Sequence, residues 1–551
     1  MKARAEPAET QNEAAGWSAL ARRDWDAAWR RFAAAVAEHE TAEALEGLSW
    51  AAWWRADLDT LFDARERAYR AYRATGRNRD AARVAAWLGT DSVDFRGEIA
   101  VAQGWLRRAR GLLEGDGASP ELGWLDVHEA EKLLFAGHSE QARELGTRAA
   151  VHGRAFGIVD LEMMGLATQG LALVRQGNVD EGLDRLSEAT TAALADEFTE
   201  LWSAGWCCCY MIYACEQVRD YDRAAQWCRK VEAWSQRLNL QLLNRACRAN
   251  YAGVLIWRGT WQQAESELAE SISLLAQLRP PTALDASVRL GELRRRQGRY
   301  NEAAAIFEQA SEHPLAILGA GELSLDLDEP GIACERAQEY LRQASPDAAT
   351  YRVAGLELLA RAAAIRGDLD LAGSALQELS TIAERIPTDP VRASVAYVRG
   401  AVASARGEGD RARIAFEDAV RYYHRARAPF EEALSRMALS RQLDQAGRTP
   451  QALHHAQAAA QLLHDVGAAK AAESADALIR TLEPAKHVAL LTAREREILR
   501  LVAAGETNRT IAGLLVLSEH TVNRHITNVL TKLDTGSRSA AVAEALRRGL
   551  I

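Results

Sequence analysis

Apolar and polar residues alternate with helical spacing towards the C-terminal end of the chain, most clearly over residues 518–533. Apolar side chains recur there at i, i+4, i+7, i+8 and i+11, which places them on one side of a helix. These residues are Val522, Ile526, Val529, Leu530 and Leu533. The opposite side carries His520, Asn523, Arg524, Thr527 and Thr531. The pattern predicts an amphipathic helix that packs on a core through its apolar side.

The flanking residues predict three more helices around this one. Thr492 and Glu495 have the spacing of a capping box, and Thr507 and Ser518 suit the N-caps of the second and third helices. A fourth helix is predicted over residues 538–548. The short turn before the third helix indicates a helix-turn-helix. Because the polar side of the third helix offers donors and acceptors that match base edges in the major groove, the module is predicted to bind DNA.

A second pattern repeats along the rest of the chain, with a turn residue, often Gly, followed five positions later by a small residue, usually Ala. Successive copies begin 30 to 42 residues apart. Gly supplies the left-handed conformation that ends one helix, and Ala lets the next helix approach closely. The first positions are Arg23, Ala56, Gly97, Gly137, Gly177, Arg219, Gly259, Gly298, Asp328, Gly367, Gly407 and Gly447.

A period near forty residues with helix–turn–helix units predicts an α-solenoid. The predicted fold class is therefore all-α, with an α-solenoid of about twelve helical hairpins followed by a four-helix helix-turn-helix domain. The hairpins resemble tetratricopeptide repeats. The predicted domains are a tetratricopeptide-like sensor or interaction domain over residues 1–482, a linker over residues 483–490 and a DNA-binding domain over residues 491–551.

The run LTAREREILRLVAAGETNRTIAGLLVLSEHTVNRHITNVLTKLDTGSRSAAVAEALRRGL resembles the DNA-binding domain of LuxR-type transcription regulators. The resemblance implies that Asn523, Arg524 and Thr527 reach bases, and we add His520 because it shares their side of the helix. It also implies that a second group lies near phosphates. That group is Asn508, Ser518, Thr521, Lys532 and Arg538.

The same resemblance carries three further implications. Many LuxR-type domains have Lys in place of Asn523, and the amide suits adenine rather than a phosphate or guanine, so the operator sequence stays open. These domains pair through the C-terminal helix, which implies a homodimer on double-stranded DNA. A repeat array before such a tail is similar to the C-terminal half of maltose-regulator-like proteins. The ATPase domain often found in large regulators of this kind would need a G-x-x-x-x-G-K-[ST] run, which the sequence lacks.

The net charge differs between the two parts of the chain. Residues 491–551 contain nine Lys and Arg against six acidic residues, a net +3, and the remainder has 58 against 70, a net −12. A basic tail on an acidic body is expected when only the tail meets nucleic acid.

The N-terminal residues do not have the pattern of a signal peptide, and the cysteines do not have the pattern of a metal site. The sequence begins without the apolar run of a signal peptide, and no uncharged stretch reaches the roughly eighteen residues of a membrane span. We therefore expect a cytoplasmic protein with no membrane contact. The clustered cysteines could bind a soft metal or sense oxidants, but without a C-x-x-C or a neighbouring His they are expected to be small buried residues. They are Cys207, Cys208, Cys209, Cys215, Cys228 and Cys247. No catalytic residue, cofactor or metal is predicted, and the protein is not expected to be an enzyme.

All fifteen tryptophans precede residue 262. Most should pack between helices, but a few on the concave side would form an aromatic groove. We therefore predict that a small-molecule or peptide effector binds this half and controls DNA binding. The alternative is a repeat scaffold for protein–protein interaction whose tail mainly dimerises.

Overall fold

The computed structural model describes residues 11–238, 240–386, 388–483 and 491–551. Within these ranges the chain forms 29 helices and no strand. The chain divides into two compact units, Met1–Ala475 and Asp476–Ile551. The predicted linker at residues 483–490 lies, apart from Glu483, outside the described residues, and the predicted domain boundaries stay predictions.

The first unit contains helical hairpins throughout. Its helices, with the last one extending into the second unit, are α1 (Gln11–Ala21), α2 (Trp25–Glu38), α3 (Ala42–Arg55), α4 (Leu58–Ala74), α5 (Asn78–Arg96), α6 (Ile99–Leu112), α7 (Pro120–Phe135), α8 (Ser139–Phe156), α9 (Val159–Arg175), α10 (Val179–Leu194), α11 (Leu201–Gln217), α12 (Tyr221–Arg237), α13 (Gln241–Trp257), α14 (Trp261–Leu278), α15 (Pro280–Arg296), α16 (Tyr300–Gln309), α17 (Pro314–Asp326), α18 (Pro330–Gln343), α19 (Ala349–Arg366), α20 (Leu369–Arg385), α21 (Asp389–Ala405), α22 (Gly409–Arg425), α23 (Pro429–Gln445), α24 (Thr449–Val466) and α25 (Ala469–Leu482).

The turns of the hairpins lie at the positions that the sequence predicts. All twelve predicted turn residues have a left-handed backbone, with φ between 56° and 87°. Four of them, Arg23, Ala56, Arg219 and Asp328, are not glycine, so at these positions the helix ends at the cost of some backbone strain. The helices α1 to α24 pair around these turns as twelve hairpins, which confirms the predicted fold class.

Hairpins that are far apart in the sequence also contact each other. Helix α5 packs on α15 and α9 packs on α19, so the third hairpin meets the eighth and the fifth meets the tenth. The turn at Gly259 approaches α23 closely, because a Cβ there would lie 2.7 Å from Pro429 Cγ. Buried ion pairs also join distant hairpins, and Arg296 of the eighth hairpin lies 2.6 Å from Glu431 of the twelfth. The array is therefore wound so tightly that its successive turns pack on one another.

Many tryptophans pack against one another between the first helices of the hairpins. The Trp87 ring has its centroid 4.9 Å from that of Trp50 and 4.6 Å from that of Trp202, and Trp206 lies 5.2 Å from Trp202. These rings come from α3, α5 and α11. His128 lies in the same cluster, and burial lowers the pKa of its imidazole to about 3, so it is neutral there. This part of the array is a packed aromatic core.

The cysteines are mostly buried, as the sequence predicts for small packing residues. All seven are free thiols, and only Cys209 is partly exposed. Burial raises the pKa of the Cys228 thiol to about 12, which disfavours the reactive thiolate. Across the described ranges, no group of three or more His, Cys, Asp or Glu side chains is placed to hold a metal ion. No helix of these ranges has both the length and the apolar character that a bilayer span requires.

The second unit holds four short helices after α25. They are α26 (Ala493–Ala503), α27 (Asn508–Leu515), α28 (Glu519–Leu533) and α29 (Arg538–Arg547). All four lie where the sequence predicts them, and α29 ends one residue before the predicted limit of 548.

Candidate nucleic-acid interface

Helix α28 is held by two small cores on its apolar side. Its N-terminal half packs on α26 and α27 through the cluster Ile498, Ile511, Ala512, Val522 and Ile526. Its C-terminal half packs on α26 and α29 through the cluster Leu491, Leu499, Val529, Leu533, Ala541 and Ala545. Of the five predicted apolar residues, four are buried and Leu530 is half-buried. The predicted amphipathic helix is confirmed, and its orientation is fixed by both cores.

Each of the four helices begins at a side-chain cap. Thr492 Oγ1 accepts a hydrogen bond from the Glu495 amide at 3.1 Å, and the Glu495 carboxylate accepts one from the Thr492 amide at 2.8 Å. Thr507, Ser518 and Ser537 cap the other three helices. The predicted capping box and N-caps are therefore present, and they set where each helix starts.

The turn between α27 and α28 requires an uncommon backbone conformation. Val516 has φ of 53° and is 92% exposed. A β-branched residue in the left-handed region is strained, and the turn is held by the Leu517 amide, which donates to Ala512 O at 2.9 Å. Arg494 Nη2 also donates to Leu515 O at 2.7 Å, so α26 fixes the end of α27.

The outer side of α28 is polar and open. His520, Asn523, Arg524 and Thr527 are all exposed. The Thr527 hydroxyl donates to Asn523 O at 3.0 Å within the helix. The side chains of His520, Asn523 and Arg524 have no hydrogen-bond or ion-pair partner in the part of the chain that the structure describes. Their donors and acceptors are free for a ligand that approaches this side of the helix.

The five residues that the resemblance puts near phosphates fall into two groups. Ser518 and Thr521 lie at the start of α28, with their hydroxyl oxygens 2.7 Å apart. Asn508 starts α27, and its Oδ1 is buried without a partner among the described residues. Lys532 and Arg538 instead make internal contacts. Lys532 Nζ lies 2.6 Å from Glu495 Oε2, and Arg538 Nη2 donates to Glu506 O at 3.2 Å.

Comparison with known proteins settles the family. The profile of the bacterial regulatory proteins, luxR family, matches residues 489–545. The spore germination protein GerE of Bacillus subtilis (strain 168) is 48% identical over 60 residues, which are 11% of this chain and 81% of that protein. The chain belongs to the luxR family of bacterial regulatory proteins.

The other similarities are more partial. The transcriptional regulatory protein DegU of Brevibacillus brevis is 37% identical over 79 residues, which are 14% of this chain and 34% of DegU. The chain thus spans about a third of the length of DegU. Among solved structures, a chain of the crystal structure of the APC/C hetero-tetramer Cut9-Hcn1 aligns over 87% of this chain and 94% of its own, with 13% identity and a TM-score of 0.48.

One exposed residue of the luxR-family domain was absent from the sequence prediction. Arg509, in the first turn of α27, has a side chain that is 90% exposed and lies 4.0 Å from the Glu519 carboxylate. Its position next to Asn508 could have predicted a role in phosphate binding, because a cation at this position lies near the start of α28. The sequence prediction also missed that Glu495 is buried and has a second contact. Besides completing the capping box, its carboxylate accepts a hydrogen bond from Lys532 of α28.

We expect Glu495→Gln to destabilise the luxR-family domain by about 1–2 kcal/mol at neutral pH, since it weakens the capping box and removes the partner of Lys532. Burial alone would raise the pKa of Glu495, but the hydrogen bonds from Lys532 and Thr492 outweigh it and hold the pKa below its ordinary value of 4.5. The stabilisation from the ionised carboxylate is therefore present above pH 4.5 and is lost as the pH falls through the lower folded value.

Thermal unfolding of this domain, followed by circular dichroism between pH 7 and pH 3, measures both effects. The melting temperature of the unaltered protein should fall more steeply with acid than that of Glu495→Gln. Glu497→Gln is the matched control, because Glu497 is exposed and pairs only with Arg494. An equal acid dependence for all three proteins would contradict the assignment.

Proposed function

We propose that this chain is a DNA-binding transcription regulator in which α28 reads an operator in the major groove under control of the helical-repeat unit. The observation that supports it best is the open polar side of α28, held on two cores in a domain of the luxR family. A helix presented in this way fits the major groove and can place side chains against base edges. The partner is double-stranded DNA.

We assign two kinds of DNA contact to the domain. Asn523, Arg524, Thr527 and His520 face the bases, and direct readout is strongest for Arg on guanine and Asn on adenine. The second group is expected to position the domain on the phosphates without reading sequence. It contains Asn508, Ser518, Thr521, Lys532 and Arg538, to which we add Arg509. In this role the Lys532 ammonium would contact a phosphate while it stays paired with Glu495.

We expect Arg524→Ala to weaken specific operator binding by about 1–3 kcal/mol while the domain keeps its melting temperature. The exposed guanidinium makes no internal contact in the described residues, so its loss should cost base recognition and not stability. The measurement is the affinity for operator and for scrambled DNA at fixed salt. Arg500→Ala is the control, since it removes the same charge from an exposed position on α26. Equal operator affinities for Arg524→Ala and Arg500→Ala would refute base reading by Arg524.

We also propose that two chains bind one pseudo-palindromic site through α29. Leu546 on this helix is 59% exposed, and Ala543 beside it is exposed. A two-fold dimer buries the same apolar patch twice, and doubling the modest charge of the domain strengthens phosphate binding.

Leu546→Asp should therefore convert the two-chain complex on DNA into a one-chain complex, with operator affinity reduced by about tenfold or more. Mass photometry of the protein on operator DNA gives the stoichiometry directly. Leu514→Asp is the matched control, because Leu514 is also 59% exposed but lies on α27. A one-chain complex of the unaltered protein on a single half-site would contradict the dimer.

Control by the repeat unit is the third part of the proposal. An effector that binds this unit can change DNA affinity only by as much as it prefers one of two conformations, so DNA must change effector affinity by the same factor. We place the protein in the cytoplasm and assign it no catalytic activity.

The competing function is a protein-interaction scaffold whose tail mainly dimerises. A DNA-shift assay with competitor DNA separates the two, because the scaffold would show no preferred sequence.

A further inference from the structure

The repeat unit contains a partly open cavity of about 590 Å³, lined mainly by the first helices of several hairpins. Helices α15, α17 and α19 contribute much of the lining, and α9 contributes Arg175. All fifteen tryptophans are described, and only Trp257 is in this lining. The volume lies in the range of small-ligand sites. This cavity is therefore distinct from the tryptophan cluster of Trp50, Trp87, Trp202 and Trp206.

The cavity lining is strongly charged, but almost every charge in it is compensated. Its seven carboxylates each have an arginine or histidine partner. The pairs are Glu216 with Arg289, Asp285 with His313, Glu292 with Arg295 and Arg296, Asp326 with Arg295, Glu322 with Arg361, Glu357 with Arg219, and Glu431 with Arg296. Glu292, Asp326 and Glu431 share two arginines, Arg295 and Arg296, so these networks hold one carboxylate in excess and leave no free positive charge for a ligand.

Arg175 is the exception among the six arginines of the lining. It is 3% exposed, and it has no carboxylate partner in the described part of the chain. Its Nη1 donates to Leu134 O and its Nη2 to the Tyr213 hydroxyl, the latter at 3.2 Å, whereas its Nε is buried without a partner. A buried guanidinium without a counter-ion is costly unless a ligand supplies the negative charge.

The lining contains a second unpartnered donor, on Gln217. The Thr350 hydroxyl lies 3.5 Å from the backbone oxygen of Arg175 and 3.2 Å from Gln217 Oε1, so it links Gln217 to the backbone at the end of α9. The Gln217 Nε2 group is buried without a partner among the described residues, and it lines the cavity. The other unpartnered lining atoms, Arg289 Nε and Glu431 Oε2, belong to groups that already have an oppositely charged partner. The lining thus holds two free donors, Arg175 Nε and Gln217 Nε2, and the first belongs to a cation without a counter-charge, which favours a ligand that is a hydrogen-bond acceptor with a negative charge.

We propose that the cavity binds a small organic monocarboxylate, with its carboxylate on Arg175 and Gln217. Arginine Nε and the adjacent Nη form a planar fork that matches a carboxylate. A phosphate dianion fits less well, because only one cation in the lining is uncompensated. The inference rests on the proposed function, in that the ligand would be the effector of the repeat unit.

Aromatic and apolar side chains of the lining provide a surface for the body of the ligand. Tyr340 and Tyr351 are stacked with ring centroids 5.1 Å apart, and both line the cavity. The Phe135 ring lies 5.6 Å from the Arg175 guanidinium and is 63% exposed. An aryl or alkyl group on the carboxylate would replace water on the exposed Phe135 ring.

The direct test titrates the full chain with four probes that differ in charge. They are 3-phenylpropanoate, its amide 3-phenylpropanamide, 3-phenylpropylamine and inorganic phosphate, with binding measured by calorimetry at one pH and salt concentration. We expect the carboxylate to bind at least about tenfold more tightly than each of the other three. Phosphate binding equal to that of the carboxylate would overturn the monocarboxylate assignment, and so would equal or tighter binding of the amide or the amine.

Two variants locate the site. Arg175→Gln removes the cation and should weaken 3-phenylpropanoate by about ten- to a hundredfold. Because Arg175 is buried and also holds Leu134 O, a second variant, Gln217→Glu, keeps the arginine and adds a competing carboxylate at a half-buried position. It should weaken the same probe without lowering the melting temperature, because the new carboxylate can supply the counter-charge that Arg175 lacks. Gln377→Glu, on the exposed side of α20, is the control. Unchanged probe affinity in folded Gln217→Glu would overturn the site.

Operator binding of the same proteins separates this inference from the proposed function. If the full chain binds operator DNA but none of the probes, the cavity assignment fails and the regulator stands. If 3-phenylpropanoate binds through Arg175 but leaves operator affinity unchanged, the site stands, and its role as the input of the regulator is refuted.

Discussion

Val522→Asp should unfold the C-terminal unit while the repeat unit stays folded. Val522 has no exposed surface and packs with Ile498, Ile511 and Ile526 at the point where three helices meet. Burying a carboxylate there without a partner costs more than the few kcal/mol of stability that a domain of this size is expected to have. Specific DNA binding should be lost with the fold.

Hydrogen exchange read by mass spectrometry shows the effect region by region. Peptides from α26 to α29 should lose protection in Val522→Asp, and peptides from the repeat unit should keep theirs. Thr527→Asp is the control, because it places the same side chain on the exposed side of the same helix. It should lose operator affinity but keep protection. Native protection of α28 in Val522→Asp would show that the core is not organised as described.

Arg65→Met should destabilise the repeat unit by about 3–5 kcal/mol, because it breaks a buried ion pair. Arg65 and Asp91 are 2% and 1% exposed and form an ion pair, and Trp53 Nε1 donates to Asp91 at 3.2 Å. Burial raises the pKa of Asp91 to about 6 even with Arg65 present. Removing the arginine leaves this carboxylate buried without its main counter-charge.

The loss of stability in Arg65→Met should be smaller in acid than at neutral pH. A carboxyl group with a raised folded pKa binds a proton more readily in the folded state, so stability falls as the pH rises from the unfolded value of 3.8 through the folded value. Urea unfolding followed by tryptophan fluorescence is the measurement, since the Trp50 and Trp87 rings lie 4.8 and 5.2 Å from the Arg65 guanidinium. Arg67→Met, at a half-buried position of α4 whose ion pairs with Glu40 and Asp63 are open to solvent, should cost below about 1 kcal/mol. Equal losses for Arg65→Met and Arg67→Met would contradict a structural role for the buried pair.

The sequence contains most of the local structure of this protein. Turn positions such as Gly97 and Asp328 could be predicted because a left-handed residue must end one helix before the next begins. The sides of α28 could be predicted because burial follows the 3.6-residue period. Caps such as Thr492 and Ser518 have short-range partners, three residues away. Each of these features depends on neighbours within one or two helical turns.

The features that sequence could not provide depend on distant residues. Arg296 and Glu431 are 135 positions apart, and neither has a local pattern that indicates the other. The pair between Lys532 and Glu495 depends on how α26 crosses α28, which the period of either helix does not determine. The cavity is missed for the same reason, because Arg175, Gln217 and Thr350 come together only when the array completes a turn. The tryptophans were conspicuous in composition, but their spacing alone could not separate a core from a groove.

Because hairpins five positions apart pack on each other, the repeat unit should fold and unfold differently from an open repeat array. In an open array each repeat contacts only its neighbours, and stability is lost gradually from the ends. Here α5 packs on α15 and α9 packs on α19, so the early hairpins reach full stability only after the hairpins in the middle of the chain have folded. Contacts over such separations slow folding, because each closes a long loop before it gains its contact energy. The array should consequently melt in one cooperative step, and a chain cut near its middle should lose the hairpins on both sides of the cut.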